Sequence, residues 1–86
     1  MDTLKTGGHY KAYSEPKTVR DENPEKAFPS TDLWVISESI NSHYTILVQL
    51  PNGKFDIRRR TITQMVLRLG NGQIELIDEG HFPNLK

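Results

Sequence analysis

Residues 44–78 read YTILVQLPNGKFDIRRRTITQMVLRLGNGQIELID, with two Asn-Gly pairs placed between apolar runs. Asn-Gly tolerates the positive φ angles that a two-residue type I′ turn requires, so each pair predicts a tight β-hairpin. Together, Asn52-Gly53 and Asn71-Gly72 predict three consecutive antiparallel strands. This stretch therefore predicts a mainly β fold.

The second Asn-Gly pair gives a well-matched hairpin. A two-residue turn at Asn71-Gly72 places Leu69 opposite Ile74 and Arg68 opposite Glu75. Apolar side chains then face each other, and a positive side chain faces a negative one. Cross-strand pairs of this kind stabilise antiparallel sheets. We therefore expect the residues before this turn to form a strand.

The same residues also fit a helix. Apolar side chains recur at the i, i+3, i+4 and i+7 positions of a helical face: Ile62, Met65, Val66 and Leu69. Thr61 with Gln64 resembles a capping box, and Gly70 is suited to a helix end. The alternative is an α+β fold with three strands, one short helix at 61–69 and a final strand. The hairpin is preferred because it also accounts for Asn71-Gly72.

The first Asn-Gly pair allows two registers. A two-residue loop at Asn52-Gly53 places Val48 opposite Ile57, which gives an apolar face. Pro51 also allows a three-residue loop with Gly53 in a bulge, which would place Val48 opposite Asp56. We expect the apolar register, since a buried face specifies pairing more strongly than the turn does.

Further short apolar stretches complete the predicted sheet. Strand candidates at 33–36, 44–50, 54–69 and 73–78 predict a four- to five-stranded antiparallel meander that curls into a small SH3-like or partly open barrel. Residues 1–31 are polar and predict an irregular N-terminal arm, so the small β domain spans 32–86. The predicted core contains Trp34, Ile36, Tyr44, Ile46, Val48, Leu50, Phe55, Ile57, Met65, Leu67, Leu69, Ile74 and Leu76.

The composition narrows the function classes. Eleven basic and eleven acidic residues give zero formal charge, which argues against a strongly basic nucleic-acid-binding arm. The chain has no cysteine, so disulfides and cysteine-based zinc sites are excluded. No apolar run approaches the length of a membrane span. We expect a single cytoplasmic domain that does not bind membranes.

No sequence motif indicates catalysis or metal binding. Glu75, Asp78, Glu79 and His81 form an acidic cluster with one imidazole, but their spacing matches no known metal site. A nucleophile elbow and a phosphate-binding loop are both absent from the sequence. We therefore expect no enzymatic activity, no cofactor and no metal.

Arginines and aromatic residues are the candidate contacts. Arg58-Arg59-Arg60 is the only dense charge run, and its side chains suit an acidic protein patch or phosphate oxygens. The alternative interpretation is that these arginines lie on a solvent-exposed face and pair with neighbouring carboxylates. The predicted partner-binding residues are Tyr10, Tyr13, Trp34, Arg58, Arg59, Arg60 and Arg68.

The leading hypothesis is a non-catalytic protein-binding module, such as a small accessory or inhibitory subunit. The edge strands of a meander offer backbone groups for β-augmentation by a partner, and self-association is also compatible. The alternative is a small β-barrel nucleic-acid-binding protein that uses an arginine stripe and exposed aromatics.

Overall fold

The computed structural model describes residues 3–39 and 42–79. The strands are β1 (His9–Tyr13), β2 (Ser30–Ser39), β3 (His43–Gln49), β4 (Phe55–Thr61) and β5 (Ile74–Asp78). The helices are α1 (Lys17–Glu22) and α2 (Ile62–Gly70), with a short 3-10 helix at Pro24–Ala27. Neither α1 nor α2 combines the length and apolarity that crossing a membrane would require.

All five strands lie in one open antiparallel sheet with the order β4-β3-β2-β1-β5. Strands β1 to β4 form a meander, and β5 is added beside β1, so β4 and β5 are the two edges. The predicted mainly β class is confirmed, and the open sheet is consistent with a small, partly open barrel-like fold.

The predicted hairpin at Asn71-Gly72 is wrong, because the residues before it form α2. The Thr61 side chain accepts a hydrogen bond from the Gln64 N–H at 3.3 Å, which caps the helix start. At the other end, the Asn71 N–H donates to the Leu67 carbonyl at 3.1 Å. The alternative of a short helix at 61–69 therefore describes this segment. Helical spacing of apolar residues prevails over strand pairing because α2 can bury its apolar stripe on the sheet.

Helix α2 packs on one face of the sheet, which we call the core face. Met65 is 2% exposed and contacts the main cluster, and Ile62 and Leu69 pack against it. The buried members of this cluster are Leu4, Tyr10, Leu33, Val35, Tyr44, Ile46, Val48, Met65 and Ile74.

Part of the expected N-terminal arm lies inside the sheet. Strand β1 pairs with β2 on one side and β5 on the other, whereas the sequence predicts irregular structure over residues 1–31. Tyr10 is 2% exposed and sits in the core. The five-residue strand has too little apolar character to be recognised alone, because its stability comes from pairing on both edges.

The turn between β3 and β4 adopts the register that the sequence analysis rejected. Val48 pairs with Asp56 and Leu47 with Ile57, and Gly53 has φ +84° in a three-residue loop. The Gly53 N–H donates to the Leu50 carbonyl at 2.9 Å. Hydrophobic pattern could not decide the register, because β3 buries consecutive residues on both faces of the sheet.

The observed core agrees only in part with the predicted core. Trp34, Tyr44, Ile46, Val48, Met65 and Ile74 are buried as expected, whereas Ile36, Ile57, Leu67 and Leu76 are exposed. The buried residues that the sequence analysis missed are Leu4, Tyr10, Leu33, Val35 and Leu47. Leu67 is exposed because a helix does not keep the two-residue alternation of a strand.

Helix α1 is fixed against the turn that precedes β5. The Lys17 N–H donates to the Asn71 carbonyl at 3.0 Å. The Arg20 guanidinium donates to Glu75 at 2.9 Å and to the Gly72 carbonyl, and it lies 3.7 Å from the centroid of the Tyr13 ring. Arg20 thus ties α1 to both β1 and β5.

Candidate functional site

An open cleft of about 310 Å³ lies on the part of the core face that α2 leaves uncovered. Its lining comes from all five strands, from α2 and from the segment before β2. The lining residues are Ala12, Tyr13, Ser14, Pro29, Thr31, Leu33, Ile46, Val48, Arg58, Arg60, Met65, Arg68 and Ile74. We call this the arginine cleft, after Arg58, Arg60 and Arg68.

The register of β4 brings two of the three arginines to the cleft. Arg58 pairs with Ile46 and Arg60 pairs with Tyr44, so both arginines lie on the core face. Arg59 lies opposite Thr45 on the other face. In the register expected from the sequence, Arg58 and Arg60 would have pointed away from the core. The long arginine side chains tolerate the core face because β4 is an edge strand, where they can cover apolar surface and still reach water.

The third arginine comes from α2. Arg68 lies in the last turn of this helix and lines the same cleft as Arg58 and Arg60. If residues 62–70 had formed a strand, Arg68 would have paired with Glu75. Formation of the helix therefore moves a positive charge from a cross-strand ion pair to the cleft.

The cleft is electropositive. None of the described residues that line it is acidic. The Arg58 Nε donates to Asp56 Oδ2 at 3.1 Å, and Arg60 Nη1 donates to the carbonyl of Arg59 at 2.9 Å. Within residues 3–39 and 42–79, neither Arg60 nor Arg68 forms an ion pair with a carboxylate. Two guanidinium groups thus keep donors for a ligand.

The floor of the cleft is apolar and its far end is polar. Buried or half-buried aliphatic side chains form the floor: Ala12, Leu33, Ile46, Val48, Met65 and Ile74. Three polar residues line the end remote from β4: Tyr13, Ser14 and Thr31. A ligand with an anionic group and an apolar body matches this arrangement, since binding sites combine apolar lining with a few oriented polar groups.

The structure brings four of the seven predicted contact residues to the cleft. Tyr13, Arg58, Arg60 and Arg68 line it, whereas Arg59 is exposed on the opposite face. Sequence reasoning gave no signal for Ser14 or Thr31, because the segment containing them was expected to be irregular.

Tyr10 and Trp34 belong to the packed interior instead. The Tyr10 hydroxyl accepts a hydrogen bond from the Lys5 N–H at 2.8 Å. Trp34 is 4% exposed, and its ring stacks on His9 with 4.4 Å between centroids and lies 6.0 Å from Phe55. Their burial leaves little of either ring for a partner to contact.

The outer edge of β4 adjoins the arginine cleft. In the described sheet, β4 pairs only with β3, so one row of its backbone N–H and C=O groups faces away from the sheet. Ile57 projects from the face opposite the cleft and is 63% exposed. Between Lys54 and Thr61 the chain carries four positive charges and one negative charge, although the whole protein is neutral.

The acidic residues near the C-terminus do not gather into a site. Glu75 pairs with Arg20 and Glu79 with Lys5, and His81 lies outside the described residues. The hydrogen bond that Lys5 Nζ donates to Glu79, followed by the Coulomb attraction of that carboxylate, raises the pKa of Lys5. Among residues 3–39 and 42–79, no three His, Cys, Asp or Glu side chains are grouped so that they could hold a metal ion.

The three guanidinium groups determine what the cleft can offer to an anionic ligand. Guanidinium groups donate hydrogen bonds, keep their charge over the physiological pH range and do not serve as nucleophiles there. Comparison of the chain with protein-family models, with curated proteins and with solved structures gave no match.

Proposed function

We propose that the protein is a non-catalytic protein-binding module that holds a segment of a partner protein against the arginine cleft. The observation that carries this proposal is the convergence of Arg58, Arg60 and Arg68 on one open cleft with an apolar floor. Charges from two different elements, β4 and α2, line it. A small accessory or inhibitory subunit needs such a surface and needs no reactive group.

The chemistry of the cleft suits a polypeptide ligand. Arginine presents rigid, bidentate donors to carboxylates and is enriched at protein interfaces. The aliphatic floor provides the apolar contact that most binding energy requires. The cleft is open and crosses the sheet, and an extended or helical segment can lie along such a surface.

The first test is a selection of peptide ligands. A phage library of random twelve-residue peptides is selected on the wild-type protein, and affinities are measured by fluorescence anisotropy for Arg60→Ala/Arg68→Ala. We expect the selected peptides to lose tenfold or more in affinity, since hydrogen bonds to charged groups contribute about 1.5–3 kcal/mol each in favourable settings. Neither arginine pairs with a carboxylate among the residues that the structure describes, so the variant should remain folded by circular dichroism.

Arg59→Ala is the matched control, because it removes the same side chain from the same strand but on the opposite face. It should change the affinity by no more than about twofold, as is usual for an exposed charge outside a contact. Failure to enrich any peptide, or equal affinity for the wild-type protein and the double variant, would contradict the proposed function.

Nucleic-acid binding is the second candidate, and the same convergence of arginines favours it. It is the weaker candidate because Trp34 and Tyr44 are buried and offer no base-stacking surface. If three arginines contact phosphates of oligothymidylate, log affinity should fall with log salt with a slope of about −2. Anisotropy measurements at low and moderate salt test this, and absence of binding at low salt would remove the candidate.

A further inference from the structure

We infer that the partner segment is acidic and adds to the free edge of β4 as an extended strand, with its carboxylates directed toward Arg58, Arg60 and Arg68. This inference rests on the proposed function and specifies the chemistry and conformation of the bound segment. It depends on three features of the described residues: a free backbone edge, a local excess of positive charge and a separation of side chains between the two faces of β4.

The backbone edge provides the first half of the interaction. Seven residues of β4 pair with β3 on one side only. An added strand would satisfy their outward N–H and C=O groups, which is how β-augmentation gains affinity without depending on sequence. Because side chains alternate along a strand, an added strand also presents successive side chains to opposite faces of the sheet.

The two faces of β4 then select different side chains in the added strand. On the core face, Arg58 and Arg60 flank the cleft, and Arg68 approaches from α2. On the other face, Ile57 is exposed. A strand that places acidic residues opposite Arg58 and Arg60 and an apolar or β-branched residue opposite Ile57 matches both faces. Asp56, which Arg58 contacts, lies on the first face, and Arg59 lies beside Ile57 on the second.

Charge argues for a different protein as the partner rather than a second copy. Pairing the full length of β4 antiparallel with itself would place Arg58 opposite Arg58 and Asp56 opposite Arg60 in two equivalent pairs. Each β4 carries three arginines and one aspartate, so two paired copies would still hold a net charge of +4. Like charges directly opposite each other are destabilising in antiparallel pairs. The same arginines therefore oppose self-pairing of this edge, a known role of charge on edge strands, and attract an acidic strand.

Edge protection alone does not account for the arrangement. One positive charge is enough to disfavour pairing between identical edges. Here a third arginine from a different element is added on the same face, beside an apolar cleft that is free of acidic residues in its described lining. That convergence favours a ligand that carries negative charge.

The probe is a nine-residue fluorescent peptide in which glutamate alternates with isoleucine or threonine. Its matched control carries glutamine in place of every glutamate. We expect the glutamate peptide to bind the wild-type protein at least tenfold more tightly than the glutamine peptide. In Arg60→Ala/Arg68→Ala this preference should largely disappear. The two peptides and the two protein variants form a double-mutant cycle, and the double variant lacks the arginines that the glutamates are expected to contact.

N-methylation tests the extended conformation. Two versions of the glutamate peptide carry backbone N-methyl groups at alternate residues, one set in each frame. An added strand directs every second N–H toward β4, so one version should lose binding and the other should keep it. Equal effects of the two versions would overturn the strand geometry.

Equal affinity for the glutamate and glutamine peptides, or absence of binding by both, would overturn the inference. The proposed function would survive that result if the phage selection yields neutral peptides that still require Arg60 and Arg68. It would fail only if the selected peptides ignore those arginines or if none is enriched. The two sets of measurements therefore separate failure of the inference from failure of the proposed function.

Discussion

Replacing Tyr10 with alanine is expected to lower the free energy of unfolding by about 3–5 kcal/mol, as for large aromatic side chains in other cores. Tyr10 is 2% exposed, and β1 carries it between β2 and β5. Its removal leaves a cavity in the main cluster and an unpaired Lys5 N–H. Small domains have about 5–15 kcal/mol of stability in total, so the loss is a large part of it. Urea unfolding measures the change.

Tyr10→Phe is the matched control, because it keeps the ring and removes only the hydroxyl group. We expect it to cost about 1 kcal/mol, the usual contribution of one hydrogen bond. If alanine at position 10 costs no more than phenylalanine does, the ring does not support the core and β1 is not an interior strand. The phenylalanine variant remains measurable even where the alanine variant is largely unfolded.

Replacing Gly72 with alanine is expected to cost about 2–4 kcal/mol. Gly72 has φ +83°, and an added Cβ would lie 2.5 Å from the Cβ of Lys17. Backbone strain and this overlap add together, because the backbone of Lys17 is held by its bond to Asn71 and cannot move away freely. The expected result is a lower urea midpoint with α1 displaced from the turn.

Gly53→Ala separates the two causes. Gly53 has φ +84°, which is nearly the same as at Gly72, but an added Cβ would have nothing within 4 Å. We expect it to cost about 1 kcal/mol, from backbone strain alone. Equal losses at the two glycines would show that α1 does not pack on the turn before β5 as described.

These stability predictions bear on the choice of contact residues. Because Tyr10 is a core residue, loss of partner binding in Tyr10→Ala would report unfolding and not a lost contact. Arg60 and Arg68 are better probes, since they line the arginine cleft. Arg59 is the matched exposed control on the other face of β4.

The sequence alone gives the mainly β class, approximate positions for β2, β3, β4 and β5, and two possible structures for residues 61–69. It also singles out the arginine run. Alternation and turn residues carry this information locally, over a few residues at a time. The sequence also allows the helical alternative, because Thr61 and the spacing of the apolar residues are compatible with a capped helix as well as with a strand.

Hydrophobic pattern could not choose between the alternatives, because helix α2 and strand β1 depend on distant contacts and the β3–β4 register depends on the loop. Helix α2 prevails because Met65 packs into a core that includes Leu4 and Tyr10, which come from the segment expected to be irregular. The register of β3 and β4 follows the loop, because both faces of β3 are buried and the burial of β3 does not favour one pairing. The observed pairing leaves Ile57 of β4 63% exposed. Five residues of β1 become a strand because β2 and β5 pair with them on both sides.

The arginine cleft results from these tertiary choices. The sequence by itself determined that three arginines lie in one run and a fourth lies eight residues after the last of them. Only the tertiary structure placed Arg58 and Arg60 on the core face, Arg59 on the opposite face and Arg68 across the cleft. The physical reason is that a shift of one residue in a strand moves every side chain to the other face. The three-residue loop at 51–53 sets that shift for β4, and the packing of α2 on the sheet brings Arg68 to the cleft.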